Sequence, residues 1–252
     1  MGVLEIRGLT KSYGAVKVLN GLELDVTECT LRCLLGPNGA GKTTAMDMIT
    51  GRQRADEGSI VFDGNEIRGL REDEIARRGV GRKFQIPSVV KDLSVLENFL
   101  LAAADDVNPI RNMFRFGFKK VKTRIDDTAE RVGLRHRLHL QAGYLSHGET
   151  QWLEIGMVLM QNPKLLLMDE PAAGMTEHEA EKTVEIFNDL KKTHTLLVVE
   201  HDMAFVRSIA DSVTVMHMGR VLAEGTMAQI ETDPEVRRVY LGTEELEDAA
   251  HA

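Results

Sequence analysis

Residues 31–50 read LRCLLGPNGAGKTTAMDMIT: a short apolar run, a glycine-rich loop and a segment of helical character. Gly36, Gly41, Lys42 and Thr43 meet the spacing G-x-x-x-x-G-K-[ST]. In that pattern glycines let the backbone curl until successive N–H groups aim at one anion. A helix opening beside Lys42 adds its positive end. Lys42 offers a mobile ammonium to terminal phosphates, and Thr43 offers a hydroxyl to a divalent cation. The predicted phosphate-contacting set is Gly36, Pro37, Asn38, Gly39, Ala40, Gly41, Lys42, Thr43 and Thr44. A plain glycine turn with an exposed lysine is the alternative, and the strand before and helix after weigh against it. The loop therefore predicts ATP as ligand.

The rest of the chain reads as strands alternating with helices. Strands are expected at residues 3–9, 22–26, 31–35, 80–85, 165–168, 195–199 and 213–217, with a final one at 220–223. Residues 59–67, with Asp63-Gly64 at the centre, carry a hairpin signal. Helices are expected at 43–50, 72–78, 176–192 and 202–210. Such alternation implies a mostly parallel sheet covered on both faces. Residues 94–104 and 111–132 are helical with no strand between them, which suggests an inserted helical subdomain. No internal repeat is present, so the chain carries one nucleotide unit.

Residues 165–170 read LLLMDE. A continuously apolar strand ending in two carboxylates puts them at the C-terminal edge of the sheet, where ligands bind in open α/β folds. Asp169 is placed to hold Mg²⁺, and Glu170 to act as general base on the attacking water. Two solvated strand-end carboxylates are the alternative.

With these residues in place the chain resembles the nucleotide-binding subunits of ABC transporters, over nearly its whole length and with motifs in the family's order. The resemblance implies an α/β fold: a phosphate-loop NTPase core with a mostly parallel sheet, an antiparallel β subdomain and an inserted helical subdomain. It implies one ABC ATPase domain over residues 1–252, with its core in 1–87 and 161–242, the helical part in 88–160 and an acidic tail in 243–252. Tyr13 matches the aromatic that stacks on adenine. Gln85 matches the glutamine that links the metal site to the helical subdomain; with Thr43 and Asp169 it completes the implied metal set. LSHGE, residues 145–149, is similar to the signature LSGGQ, so Ser146 and Gly148 would serve ATP bound to a partner subunit. His201, after LLVVE, matches the histidine that contacts the γ-phosphate. The implied catalytic set is Glu170, His201 and Gln85. Taken alone, Tyr13 fits a core edge, Gln85 an ordinary strand-end amide, His201 a buried histidine, and Ser146 with Glu149 a helix capping box. His147, Glu149 and Thr176 depart from the family pattern, and Thr176 with Glu179 forms a second capping box.

GRKFQIPSV (81–89), LSHGETQWLEIGM (145–157) and EPAAGMT (170–176) narrow the likeness to urea-type ATPases, a group that resembles the branched-chain amino-acid ATPases closely. The implied function is ATP hydrolysis that energises import of a small polar solute, urea before a branched-chain amino acid, with a soluble non-transport ABC ATPase as a third reading. The implied partners are transmembrane permease subunits, a second ATPase subunit (a related chain rather than a copy) and, indirectly, a solute-binding protein. The implied location is peripheral, on the cytoplasmic face of the inner membrane.

Composition supports this. Lys and Arg number 31 against 39 Asp and Glu, a formal charge of −8. An acidic chain is a poor ligand for nucleic acid, whose affinity rests on phosphate neutralisation, so no nucleic-acid partner is expected. No apolar run nears the roughly 18 residues of a membrane span, and no leader is evident. Cys29 and Cys33 are read as core residues on one strand face. The basic, aromatic stretch RNMFRFGFKKVKTR, residues 111–124, is read as an amphipathic helix with its aromatics inward in preference to a lipid or permease contact.

Overall fold

The computed structural model describes residues 2–83, 89–103 and 118–239, with 118–120 by backbone alone. Gln85, the acidic tail and residues 111–117 of the basic stretch lie outside them. Two sheets form the frame. The first is antiparallel, with order β2 (Val16–Thr27), β1 (Gly2–Tyr13), β4 (Glu57–Phe62), β5 (Asn65–Glu66). The second has six strands in the order β10 (Arg220–Gly225), β9 (Ser212–His217), β3 (Leu31–Leu35), β8 (Thr195–Val199), β7 (Leu165–Asp169), β6 (Val80–Lys83). Its pairs are parallel except β9–β10.

β1 and β2 run to 12 residues each, beyond the alternation visible in the sequence. The register between them slips from Ile6 to Leu9 and again near Thr10 and Lys11. Each slip resets which residues face the core, so the period-two signal stops where the strand continues.

β7 shows why its sequence is unbroken in apolar character. Leu165 and Leu167 face the layer made by β1, β2, β4 and α1 (Lys42–Ile49), with Leu34, Leu197 and Val199. Leu166 and Met168 face the opposite way, onto a helical layer. Successive side chains point to opposite faces, and here both faces are covered. Burial of each such leucine contributes about 1.5–3 kcal/mol.

The helical layer holds α3 (Val95–Ala102), α4 (Phe118–Arg131), α5 (His147–Leu159), α6 (Glu177–Leu190) and α7 (Met203–Ile209). The short α2 (Glu72–Arg77) precedes β6, and α8 (Met227–Thr232) follows β10. Ser94, Ser146 and Thr176 cap α3, α5 and α6, each accepting from the backbone three residues on while a glutamate there reaches back. Trp152 of α5 is buried and its Nε1 donates to Thr183 of α6 at 2.9 Å. Lys83 at the end of β6 pairs with Glu154 of α5 at 3.4 Å, both buried. This ion pair couples the sheet edge to α5.

The shared-face reading of the cysteines is corrected. Cys33 is buried in β3, but Cys29 is exposed in the turn before it, with φ 54°. β2 ends at Thr27, so no strand carries both. Burial pushes the Cys33 thiol pKa up.

Candidate functional site

β3 delivers the chain directly into the glycine loop, and α1 begins at Lys42. Gly36 and Gly41 have φ 151° and 101°. At Gly36 a Cβ would lie 2.3 Å from the Met216 carbonyl oxygen of β9; at Gly41 it would lie 2.7 Å from Leu19 Cδ2 and 2.9 Å from the Val18 carbonyl oxygen. Only glycine fits either place, and the loop is thereby held against β9 and β2. The Lys42 ammonium curls back to the carbonyls of Gly36 and Pro37, at 2.5 and 3.1 Å. Burial lowers its pKa, while Glu170 and Asp169 act to raise it, which places both carboxylates within electrostatic reach of the loop. Thr43 is exposed and Thr44 half-buried at the start of α1.

Asp169 ends β7 and is buried, yet neither carboxylate oxygen has a hydrogen-bond partner. Arg82 of β6 stands 3.7 Å away and also meets Asp47 of α1 at 2.5 Å. Burial raises the Asp169 pKa against the pull of Arg82. A buried carboxylate with free lone pairs beside a loop built for phosphate fits a hard cation. Among the described residues no three His, Cys, Asp or Glu gather as a metal cage.

Glu170 follows in the left-handed region, φ 45°, with its N–H donating to Val199 at 2.9 Å. Such a conformation is uncommon away from glycine and clusters at functional sites. It sends the Glu170 side chain out of the sheet edge, where it is partly exposed and 3.7 Å from His201 Nδ1. His201 lies in the loop beyond β8 and is 66% exposed, so it is not a buried structural histidine. Tyr13 is exposed at the end of β1, with Lys11 Nζ 5.5 Å from its ring centre.

Lys42, Asp169, Glu170 and His201 thus meet at one sheet edge, fed by β3, β7 and β8. Ser146 and Gly148 sit elsewhere, at the N-terminus of α5, and their described hydrogen bonds run within their own chain, to Glu149, Thr150 and Glu179.

Three residues of this edge escape the sequence reading. Arg82 and Asp47 form the pair just described. Glu200, buried between β8 and His201, accepts N–H groups from Ala172 at 3.2 Å and His201 at 3.1 Å. Burial raises its pKa, and those N–H groups partly offset the shift. It ties the turn after Glu170 to the loop that carries His201. Its only signal in the sequence is a charged residue ending an apolar strand. Glu200→Ala is expected to cost about 1–3 kcal/mol, less what relief of the buried charge returns, because the N–H groups of Ala172 and His201 lose their acceptor. Chemical denaturation measures that cost, and turnover should fall with it because His201 is no longer held.

The ABC transporter family model matches residues 19–173. The chain belongs to the ABC transporter family. A second model, for branched-chain amino acid ATP-binding cassette transporters, matches residues 220–245. The chain is 37% identical over 249 residues to the high-affinity branched-chain amino acid transport ATP-binding protein BraF of Pseudomonas aeruginosa, covering 95% of this chain and 98% of that one. It is 34% identical over 249 residues to the corresponding LivG of Escherichia coli, with the same coverage. Among solved structures it is similar to the ADP conformation of MJ1267, an ATP-binding cassette of an ABC transporter, with TM-score 0.85, 32% identity and coverage of 96% of this chain and 99% of that one. This ABC chain is an ATPase subunit of an importer, with the cassette fold. Among its described residues no helix is long and apolar enough to cross a membrane.

Proposed function

We propose that this ATPase powers import of a branched-chain amino acid through a separate permease. The observation that carries the reading is likeness over 95% of the chain to subunits named for that solute. The order drawn from short motifs, urea first, is reversed by this full-length likeness. Urea stays as a second reading on one observation, the segments GRKFQIPSV, LSHGETQWLEIGM and EPAAGMT. In this assembly the chain lies peripherally on the cytoplasmic face and pairs with a second ATPase subunit.

The residues divide the work as follows. The backbone N–H groups of residues 36 and 38–44 and the Lys42 ammonium hold the β- and γ-phosphates, Pro37 having no N–H to give and only shaping the loop, and Tyr13 stacks on adenine. Thr43, Asp169 and Gln85 would hold Mg²⁺, which supplies charge neutralisation at the phosphates. Glu170 accepts the proton of the attacking water, and His201 orients the γ-phosphate; ATP and water become ADP and phosphate. Ser146 and Gly148 donate to the γ-phosphate of ATP bound in the partner subunit.

Reconstitution with the permease subunits and solute-binding protein tests the solute. Leucine-stimulated phosphate release supports the main reading, urea-stimulated release the second, and basal turnover indifferent to both overturns each. The cation reading has a test independent of turnover. Asp169 has a folded-state pKa above its ordinary value, so its charge opposes folding at neutral pH and the penalty fades as pH falls through that pKa. Asp169→Asn is expected to stabilise the nucleotide-free chain by about 1 kcal/mol and to remove any Mg²⁺-dependent rise in its melting temperature. An unchanged Mg²⁺ response would move the cation elsewhere.

A further inference from the structure

Two helix N-termini converge on one side chain. Glu179, in the first turn of α6, accepts from Thr176 N–H at 3.0 Å and Thr176 Oγ1 at 2.9 Å, closing its own helix cap. Its other oxygen leaves that helix. It accepts from Ser146 Oγ at 2.6 Å and from Gly148 N–H at 3.1 Å, both at the start of α5. The approach is close: a Cβ on Gly148 would stand 2.6 Å from Glu179 Cδ. Alongside, His147 Nε2 lies 3.0 Å from the Ala173 carbonyl oxygen, a second tie between the same two segments. An anion at a helix N-terminus is stabilised by free N–H groups and the helix dipole, and here two helices act on one carboxylate. Its pKa falls to about 2, with the Ser146 hydrogen bond the largest cause. Glu179 therefore carries its charge throughout the neutral range.

We infer that Glu179 is an internal anion seated on the Ser146–Gly148 donors, so that the partner subunit's ATP must displace it before the two ATPase subunits close. The inference rests on the reading of Ser146 and Gly148 as donors to the partner's γ-phosphate. The donors satisfied by the carboxylate are the ones that the phosphate needs. A phosphate brought to them meets a like charge in contact, and that contact disfavours closure until ATP is plentiful. Glu179 then acts through Ser146 as a positioning residue that sets the ATP requirement, without touching the reacting atoms.

Glu179→Gln tests this in the assembled transporter. Glutamine also completes a capping box, so α6 keeps its start while the negative charge is lost. The expected result is a KM for ATP lowered about 5- to 10-fold with kcat little changed. The affinity of the isolated chain for ATP should not move, because its own phosphate loop is untouched. In a Ser146→Ala background the KM gain should shrink, since only the Gly148 N–H then holds the carboxylate on α5. A KM that stays level or rises in a folded Glu179→Gln protein overturns the inference. Ser146→Ala with unaltered KM and kcat instead overturns the reading of Ser146 beneath it. Glu179→Asp, one methylene shorter, should draw the charge back from Ser146 and lower KM to a lesser degree. It serves if the glutamine variant melts early, and an unaltered KM there also counts against the inference.

Discussion

Glu170→Gln is expected to cut phosphate release by about 10²–10⁴-fold while ATP still binds. Glu170 sits at the edge of the central sheet, 3.7 Å from His201 and within electrostatic reach of Lys42. The left-handed backbone there, held by the N–H bond to Val199, turns its carboxylate outward from a strand that is otherwise wholly buried. Glutamine keeps the shape and loses the carboxylate proposed as the base. Steady-state phosphate release beside equilibrium nucleotide binding separates the two effects. Equal turnover in both proteins would remove Glu170 from the base role and leave binding intact.

Gly36→Ala is expected to cost about 2–4 kcal/mol and to abolish nucleotide binding. Its added methyl would lie 2.3 Å from the Met216 carbonyl oxygen, a backbone atom of β9 that cannot rotate aside. Either the loop or β9 must shift, and the loop is the part whose N–H groups need fixed aim. Gly39→Ala provides the contrast. Gly39 has φ 79°, but no heavy atom beyond its chain neighbours lies within 4 Å of the added position. Its cost is the backbone term alone, about 1–2 kcal/mol. Urea denaturation of the two variants compares them directly, and equal losses would mean that the clash at Met216 relaxes freely.

Both predictions concern features legible in the amino-acid sequence. The glycine loop, the strand ending in Asp169 and Glu170, and the caps at Ser146 and Thr176 are local patterns of a few residues. Local backbone geometry dictates them: alternation across a strand, the orphan N–H groups of a helix start, the curl that only glycine allows. Where local periodicity is interrupted, legibility stops. β1 reads as ending near Leu9 because its register slips there, and the pairing of Cys29 with Cys33 on one strand fails because a turn separates them.

By itself the sequence determined an α/β chain with a phosphate loop, its family, and four residues that share one sheet edge, Lys42, Asp169, Glu170 and His201. Strand order decided the rest. Because β6 lies beside β7, Arg82 reaches both Asp169 and Asp47, a partner 35 positions away. Because β8 lies beside β7, Glu200 can hold the turn after Glu170, 28 positions from Ala172. Because α5 and α6 start side by side, a glutamate that reads as the cap of one helix is also the anion of the other. A one-dimensional pattern reports only neighbours along the chain. These three contacts are set by which elements the buried apolar faces force together.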